Sequence, residues 1–388
     1  MMTRRSVIAG LTKMLPGIFI GAILWHFRVL QVATFLTAAA VRSSLFPKKD
    51  LGPASRSTEW QNVGRRDQEI LPELNPHALV TYHPEYHGHS PRMALASLQS
   101  AARLGFGWIR TDVRWHSLLP DGPRASQAAI VWYRQFLLAA TACGLKNMVV
   151  LSSPPRSAMN CSAQQRLALW ERFVQTVVYE LGDHCDAYQL INEPNNPIYS
   201  IFELAEAGRA IQLGALEIRK AKPRPTVINI STDLWKWREY LFDLLRLSGD
   251  FVDIVGLDHY PGTWTLGAEI RWTGILETAH LVASASPDSV WFNRRLAVME
   301  TGYSTNAPLR DETRQAQYFT GIARFLGDLK AIHPDAKDVL LGIYELADGD
   351  GSAFLDPESH FGILTNDLRP KLAVQAVKDL IANHLMEK

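Results

Sequence analysis

Eight short apolar runs, each followed by a longer amphipathic run, occupy most of the sequence after residue 76. Short runs rich in β-branched residues are typical of strands, and amphipathic runs of about ten residues or more are typical of helices. Runs such as 148–151 are apolar throughout, which is typical of parallel strands buried on both faces. The predicted strands are 78–83, 108–115, 147–152, 187–192, 226–231, 252–259, 296–300 and 339–344.

Eight strands that alternate with helices form a closed parallel barrel, so we predict an α/β fold, a single (β/α)8 TIM barrel over residues 76–388. An open doubly wound sheet is the alternative, but it would need a glycine-rich turn after the first strand, which the sequence lacks. The predicted helices are 94–104, 128–143, 164–181, 202–221, 237–247, 268–283, 312–329 and 372–384.

The chain begins with an apolar segment. Arg4 and Arg5 precede an apolar stretch over residues 7–41, and residues 38–40 are three alanines that offer a cleavage site. Two interpretations stay open, a cleaved signal peptide over 1–41 or an uncleaved membrane anchor. Both predict an exported protein, periplasmic or extracellular. Residues 42–75 are polar and rich in Pro, Ser and charge, and we predict a linker or an irregular wrap there.

Charge and cysteine content exclude several kinds of protein. The chain has 40 Lys+Arg and 39 Asp+Glu without a basic block, so we expect no nucleic-acid partner. Three cysteines rule out a dense disulfide framework and include no CxxC spacing. Cys143 ends a predicted helix and Cys185 opens a predicted strand. Either one disulfide joins them or all three thiols stay unpaired, and the second interpretation is favoured.

Two glutamates stand at the C-terminal ends of predicted strands, where barrel enzymes carry their chemistry. Glu193 follows strand four and Glu300 ends strand seven, so the two carboxylates would face each other across the mouth of the ring. Facing carboxylates can flank one glycosidic bond, at a separation of about 5–5.5 Å in retaining enzymes. Their pKa values must then differ. Tyr260 and Arg110 are placed to keep Glu300 ionised, and Asn192 is placed to hold a sugar hydroxyl.

Several segments resemble glycoside hydrolases of clan A. Residues 190–194 (Leu-Ile-Asn-Glu-Pro) resemble the Asn-Glu-Pro signature of strand four, and 298–303 resemble the nucleophile motif of strand seven. Residues 255–261 and 104–112 resemble the segments that carry the clan's tyrosine and arginine. The tail segments 344–348, 360–364 and 369–371 resemble the last barrel unit of family 39-like members.

The resemblance implies a barrel enzyme that hydrolyses a glycosidic bond with retention of configuration and without a cofactor. It implies that Glu193 is the acid/base and Glu300 the nucleophile, supported by Asn192, Arg110 and Tyr260. The expected substrate is a β-linked oligo- or polysaccharide outside the cytoplasm, with membrane attachment through residues 7–41 if the anchor is kept. The further residues expected to contact the sugar are His83, His259, Trp264, Tyr344 and Glu345.

One position departs from the clan pattern. Many members carry a Trp at the end of strand eight, as the floor of the sugar subsite. Tyr344 and Glu345 stand there in this chain. We therefore expect Trp264 or Trp115 to substitute for that surface.

A histidine cluster after strand one offers an alternative interpretation, a metal centre. His87 and His89 have the His-x-His spacing that barrel metallohydrolases use. Such centres also need ligands after later strands, and strand five ends without a histidine. We therefore expect no metal, with His83 contacting sugar and the other members shaping the loop. The rival functions are a non-catalytic glycan-binding barrel, which the two carboxylates argue against, and a metal-dependent hydrolase.

Overall fold

The computed structural model describes residues 73–120, 124–261, 263, 272–306, 310–332, 339–350 and 356–385. The predicted N-terminal segment, most of the predicted linker and Trp264 lie outside the described residues. The domain division at residues 41 and 75 therefore stays a prediction. Among the described helices, none has the length and apolar character needed to cross a bilayer.

Eight parallel strands close into one barrel in chain order, and the first strand pairs with the last. The predicted (β/α)8 fold is confirmed. The strands are β1 Asn75–Thr81, β2 Phe106–Arg114, β3 Lys146–Ser152, β4 Ala187–Gln189, β5 Thr226–Ser231, β6 Ile254–His259, β7 Arg295–Thr301 and β8 Leu340–Ile343.

One principal helix follows each strand. Local sequence explains where several helices begin: Ser90 accepts a hydrogen bond from the backbone N of Met93 at the start of the first helix, and Ser162 and Gln165 form a capping box at the third. The helices are α1 Pro91–Arg103, α2 Gln127–Ala142, α3 Ala163–Leu181, α4 Leu204–Ala221, α5 Trp237–Ser248, α6 Thr273–Ala283, α7 Glu312–Ile332 and α8 Ala373–Leu380.

The barrel interior is divided into an apolar plug and a polar layer. The plug is a buried cluster contributed by seven of the strands, and Trp108 of β2 packs against it. Successive strand residues alternate between the two faces of a sheet, so the residues two positions further along also point inward. The plug is formed by Leu79, Met148, Ala187, Val227, Ile254, Ala297, Met299 and Leu340.

The polar layer lies directly above that plug. Two residues beyond Trp108, Ala187 and Val227 come Arg110, Gln189 and Asn229, and all three are buried. Buried polar groups need partners, and these side chains meet one another at the mouth of the barrel. The larger apolar core lies between the strands and the surrounding helices.

The cysteines do not form a disulfide. Cys143 and Cys185 are buried and unpaired, and Cys161 is unpaired and half-buried. The alternative of a Cys143–Cys185 bridge is therefore wrong, and the favoured interpretation of three free thiols is confirmed.

Candidate active site

Glu300 lies at the end of β7 between a cation and a phenol. An Arg110 Nη2 lies 2.6 Å from Glu300 Oε1, and the Tyr260 hydroxyl donates a hydrogen bond to Glu300 Oε2. Glu300 is thus held by one charged donor and one hydroxyl donor. The structure thus brings together the three residues that the sequence predicted as nucleophile and supports.

A β-bulge directs Glu300 into the mouth. Leu257 of β6 pairs with Val298, but the next residue, Asp258, pairs with Glu300, so Met299 is skipped. Residues that pair across two adjacent strands point to the same face of the sheet, so Glu300 shares the face of Asp258. Met299 packs in the interior plug. The extra residue therefore lets Met299 and Glu300 both point into the barrel, which strict alternation along the strand would forbid.

Arg110 is held in place by the polar layer. Its Nε donates to Gln189 Oε1 at 2.8 Å, and its Nη1 donates to Thr81 Oγ1 at 3.3 Å. Its Nη2 also donates to Asn192 Oδ1 at 3.0 Å. The Arg110 side chain is 1% exposed. These bonds therefore fix the orientation of the guanidinium plane relative to the Glu300 carboxyl group.

Asn192 is oriented by three donors. Its amide oxygen accepts hydrogen bonds from Arg110 Nη2, Gln189 Nε2 and Asn229 Nδ2, each at 3.0 Å. Asn192 is half-buried at the mouth. With its oxygen engaged below, the side-chain amide is oriented to donate to a ligand above, as expected for a residue that holds a sugar hydroxyl.

Glu193 follows Asn192 in a backbone conformation that is rare outside glycine, with φ of 41°. The Asn229 side chain stabilises this turn, since its oxygen accepts a hydrogen bond from the Glu193 backbone N at 2.9 Å. Asn196 Nδ2 donates to Glu193 Oε2 at 2.8 Å. Non-glycine residues with positive φ concentrate at functional sites, and here the turn aims the carboxyl group into the mouth.

The two glutamates occupy contrasting surroundings. Burial and the neighbouring charge of Glu300 raise the pKa of Glu193 to about 8, so Glu193 keeps its proton at neutral pH. Glu300, by contrast, is contacted by the Arg110 guanidinium and the Tyr260 hydroxyl. The mouth thus holds one carboxyl group with a raised pKa and another that pairs with a cation.

Asp258 is a second buried carboxyl group with a raised pKa at the mouth. Burial and the charges of Glu300 and Glu193 raise its pKa well above the usual range. Its Oδ2 accepts a hydrogen bond from Asn229 Nδ2. Asp258 is thus joined to the polar layer through Asn229.

His83 lies between two carboxylates on the β1 and β8 side of the mouth. Its Nε2 is 3.5 Å from Asp112 Oδ1, and its Nδ1 is 3.5 Å from Glu345 Oε2. Burial alone would lower the pKa of His83, but Asp112 and Glu345 raise it to about 9. His83 is therefore a cation at neutral pH, and its 13% exposed side chain borders the cleft.

Three residues of this cluster have the spacing of a metal site. Among the described residues, His83, His87 and Glu345 each offer one ligand atom within 4.8 Å of the others. The same atoms also contact one another directly, since His83 Nδ1 lies 3.5 Å from Glu345 Oε2. His87 Nε2 lies 2.9 Å from Glu345 Oε2. The cluster fits a hydrogen-bonded charge network better than a metal centre.

His87 and His89 are buried, at 2% and 4% exposure. Both side chains therefore lie inside the protein and not in solvent. His89 Nδ1 shares a hydrogen bond with the Tyr82 hydroxyl at 2.7 Å, and the His87 ring stacks on that of Tyr82. These contacts fix the loop that carries His83.

Tyr344 supplies an aromatic surface beside Glu300. Its ring packs edge-on against Tyr260 and Phe361, with centroids 5.6 and 5.3 Å away. Trp115, expected as one substitute for the clan's Trp, instead stacks on Phe173 in the core at 3% exposure. That expectation is wrong because Trp115 begins a helical turn that faces the helix layer.

His259 contacts the loop after β5, although it stands beside Tyr260 in the chain. Its Nδ1 shares a hydrogen bond with Thr232 Oγ1 at 2.9 Å, and its ring lies edge-on against Trp272. These contacts place its ring between the loop after β5 and α6.

Sequence reasoning missed the polar layer itself. Gln189 and Asn229 support Asn192 and Glu193, and no sequence motif identifies either of them. Asn229 stands between Ile228 and Ile230 in a strand predicted with the correct bounds. A lone polar residue at an inward position of an apolar strand is the signal that would have identified it.

Neither a protein-family model nor a curated protein matches this sequence. Solved structures of glycosidases do match the fold. A family 39 glycoside hydrolase from the gut symbiont Bacteroides cellulosilyticus WH2 is 18% identical, with a TM-score of 0.59 over 81% of this chain and 66% of its own.

Two further glycosidases are similar. GH5_18 from Streptomyces cattleya, solved in complex with GlcNAc, is 18% identical over 82% of each chain, with a TM-score of 0.60. A β-glucosidase from Thermotoga maritima is 14% identical over 76% of this chain and 86% of its own, with a TM-score of 0.56. This chain therefore has the barrel fold of these glycoside hydrolases.

Proposed function

We propose that this protein is a retaining glycoside hydrolase that cleaves β-linked oligo- or polysaccharides. One observation carries the proposal: Glu193 has a raised pKa, while Glu300 at the same mouth pairs with Arg110 and accepts a hydrogen bond from Tyr260. One acid and one carboxylate nucleophile are the two groups that a double displacement needs.

The reaction then follows in two steps. Glu300 attacks the anomeric carbon while Glu193 donates its proton to the leaving oxygen, which gives a covalent glycosyl ester and a free alcohol. Glu193, now a carboxylate, takes a proton from water as the water oxygen attacks the same carbon. The sugar leaves with its original configuration, and Glu193 regains its proton.

The other mouth residues bind and orient the sugar. Asn192 presents its amide beside Glu193, and Tyr344 provides a ring against which the sugar packs. His83 is placed to donate to a sugar hydroxyl, with Glu345 behind it. The β-linkage is supported by the similar structures, which include β-glucosidases. Export through residues 1–41 is part of the proposal and places the substrate outside the cytoplasm.

The substitution Glu300→Gln tests the chemistry. The variant keeps the shape of the side chain but lacks the nucleophile, so we expect hydrolysis of an aryl β-glycoside panel to fall to background while the circular dichroism spectrum stays unchanged. Near-wild-type turnover would refute the assignment.

Stereochemistry tests the mechanism separately. We expect proton NMR of the first product to show the β-anomer before mutarotation, and a 2-fluoro β-glycoside to label Glu300. Initial release of the α-anomer would mean inversion. Binding of glycan without any turnover would instead favour a non-catalytic barrel.

A further inference from the structure

The side-chain amide of Asn229 is the branch point of the polar layer. Its oxygen accepts a hydrogen bond from the Glu193 backbone N at 2.9 Å, and its Nδ2 donates to Asn192 Oδ1 at 3.0 Å and to Asp258 Oδ2 at 2.5 Å. Rotation of this amide by half a turn would exchange its oxygen and its nitrogen, and a donor would then face the Glu193 backbone N. The orientation of the Asn229 amide therefore decides whether the turn at Glu193 is supported.

The segment after β4 is fixed to β5 at two points. At its far end, Asn195 Nδ2 donates to the Ser231 carbonyl at 2.8 Å, and the Ser231 backbone N donates to Asn195 Oδ1 at 3.1 Å. At its near end, Asn229 bonds the Glu193 backbone. Glu193 has a φ of 41°, which costs free energy in a residue other than glycine. The near contact therefore supports a conformation that the chain does not favour by itself.

Asp258 contacts the Asn229 amide from the next strand, β6. It pairs with Glu300 of β7 in the sheet and is 0% exposed. A carboxyl group offers an acceptor oxygen in either protonation state, so Asp258 Oδ2 favours the orientation in which Asn229 Nδ2 points toward it. Asn192 Oδ1 faces the same Nδ2 but also accepts from two other donors. With Nδ2 held by Asp258, the Asn229 oxygen is left to accept from the Glu193 backbone.

The fold alone does not explain a carboxyl group at this position. Asp258 Oδ1 is buried without a hydrogen-bond partner among the described residues, and burial raises the pKa of Asp258 well above its usual range. Such a group costs free energy that an apolar side chain of similar size does not cost. Within the described part of the chain, its single side-chain hydrogen bond is the one with Asn229.

We infer that Asp258 is a positioning residue for the acid: it orients the Asn229 amide, and that amide holds the turn from which Glu193 reaches the leaving oxygen. The inference rests on the proposed function and adds a residue that acts on the reaction only through another side chain. A general acid works only when it lies within hydrogen-bond reach of the atom that it protonates. Loss of Asp258 should therefore weaken protonation of the leaving group and spare the attack by Glu300, whose own partners stay in place.

The test compares two aryl β-glycosides that share a sugar and differ in the leaving group. The sugar is that of the panel member cleaved fastest, offered as its phenyl and its 2,4-dinitrophenyl glycoside. Phenol needs a proton to leave, whereas 2,4-dinitrophenolate needs little protonation. Asp258→Leu keeps the size of the side chain but removes the acceptor. We expect it to lower kcat/KM about tenfold for the phenyl glycoside and by less than about twofold for the dinitrophenyl glycoside.

Two variants test the link through Asn229. Asn229→Ala removes the amide itself and should cause the same selective loss, and Asp258→Leu should lower kcat/KM no further in that background. Asp258→Asn keeps an acceptor oxygen and should recover most of the activity on the phenyl glycoside.

Asp253 provides the matched control. Its carboxyl group accepts hydrogen bonds from the backbone N and the hydroxyl of Thr226 at 2.8 and 2.9 Å, at the other end of the same pair of strands. Asp253→Leu should leave kcat/KM for both glycosides within about twofold of the wild type.

Equal losses on both glycosides would overturn the inference alone, and so would an unchanged kcat/KM for the phenyl glycoside or additive losses in the double variant. If Asp258→Leu does not fold, Asp258→Ala, which adds no bulk, takes its place in every comparison. Failure of both variants to fold would show that Asp258 serves the fold, and would also overturn the inference. A wild-type enzyme inactive on the whole panel would overturn the proposed function and the inference with it.

Discussion

Glu193 shows how one residue obtains its chemistry from several neighbours. Its backbone is turned by Asn229, its carboxyl group is bonded by Asn196, and the anion at Glu300 opposes its ionisation. None of these partners is adjacent to Glu193 in the chain. The raised pKa of Glu193 is due first to burial and then to the charge of Glu300, and the hydrogen bond from Asn196 opposes it.

The pH dependence of turnover follows from that proton. A general acid works only while protonated, so we expect kcat/KM on a poorly activated aryl glycoside to fall as pH rises through about 8, where Glu193 ionises. The measurement is the pH profile of initial rates. A 2,4-dinitrophenyl glycoside, whose leaving group needs little protonation, should lose the alkaline limb. An alkaline limb centred below about pH 6 would contradict the assigned role of Glu193.

At the scale of elements, the number and order of the strands could be predicted, whereas the ends of some strands, such as β4, could not. All eight strands and their order follow from the apolar alternation, and β5 has the predicted bounds. β4 stops at Gln189 rather than at residue 192. The reason is that Asn192 and Glu193 bond to side chains of the polar layer and leave the ladder. Such tertiary contacts have no signal in the local sequence.

The two glutamates could be predicted from the sequence, whereas the residues that support them could be predicted only in part. Short motifs identified Glu193, Glu300, Arg110 and Tyr260, and the structure brings these four together. The bulge at Met299 was not predictable, because an extra residue in a strand leaves the apolar pattern unchanged. The hydrogen bond from Asn229 to Asp258 was not predictable either, because the two residues lie on different strands.

The bulge in β7 depends on a glycine in β8. A Cβ added to Gly342 would lie 2.0 Å from the backbone oxygen of Met299. We expect Gly342→Ala to lower the free energy of unfolding by about 3 kcal/mol. It should also lower kcat, since Met299 must shift and Glu300 follows it in the chain. Urea unfolding and initial rates on the same preparations measure both effects.

A helix glycine provides the matched control. Gly321 lies in α7 with no atom within 4 Å of an added Cβ. Gly321→Ala should raise the free energy of unfolding by about 0.5–1 kcal/mol through helix propensity and leave kcat unchanged. If Gly342→Ala behaves like this control, the glycine does not support the bulge.

The whole molecule carries an unusual set of buried acids around its mouth. The pKa values of Glu193, Asp258 and Asp348 are all raised, chiefly by burial, and that of His83 is raised by its carboxylate partners. At any pH between the unfolded and the folded pKa of such a group, the folded protein holds a proton that the unfolded chain has released. Stability must therefore fall as pH rises through the interval between the two pKa values.

The substitution Glu193→Gln tests this linkage. For Glu193 the interval runs from 4.5 to about 8, so the free energy of unfolding of the wild type should decline over that range. The amide does not ionise, and we expect the decline to be smaller in the variant. Denaturant unfolding at pH 5 and pH 8 measures the difference. A decline as steep as that of the wild type would show that Glu193 ionises without cost in the folded protein.

The reciprocal amide contacts between Asn195 and Ser231 have a practical consequence for redesign of the barrel. Both bonds use the side chain of Asn195 and only backbone atoms of Ser231. A graft of the segment after β4 that lacked an asparagine at this position would therefore lose both bonds, whereas a change of side chain at Ser231 would keep them. A transplanted segment should retain Asn195.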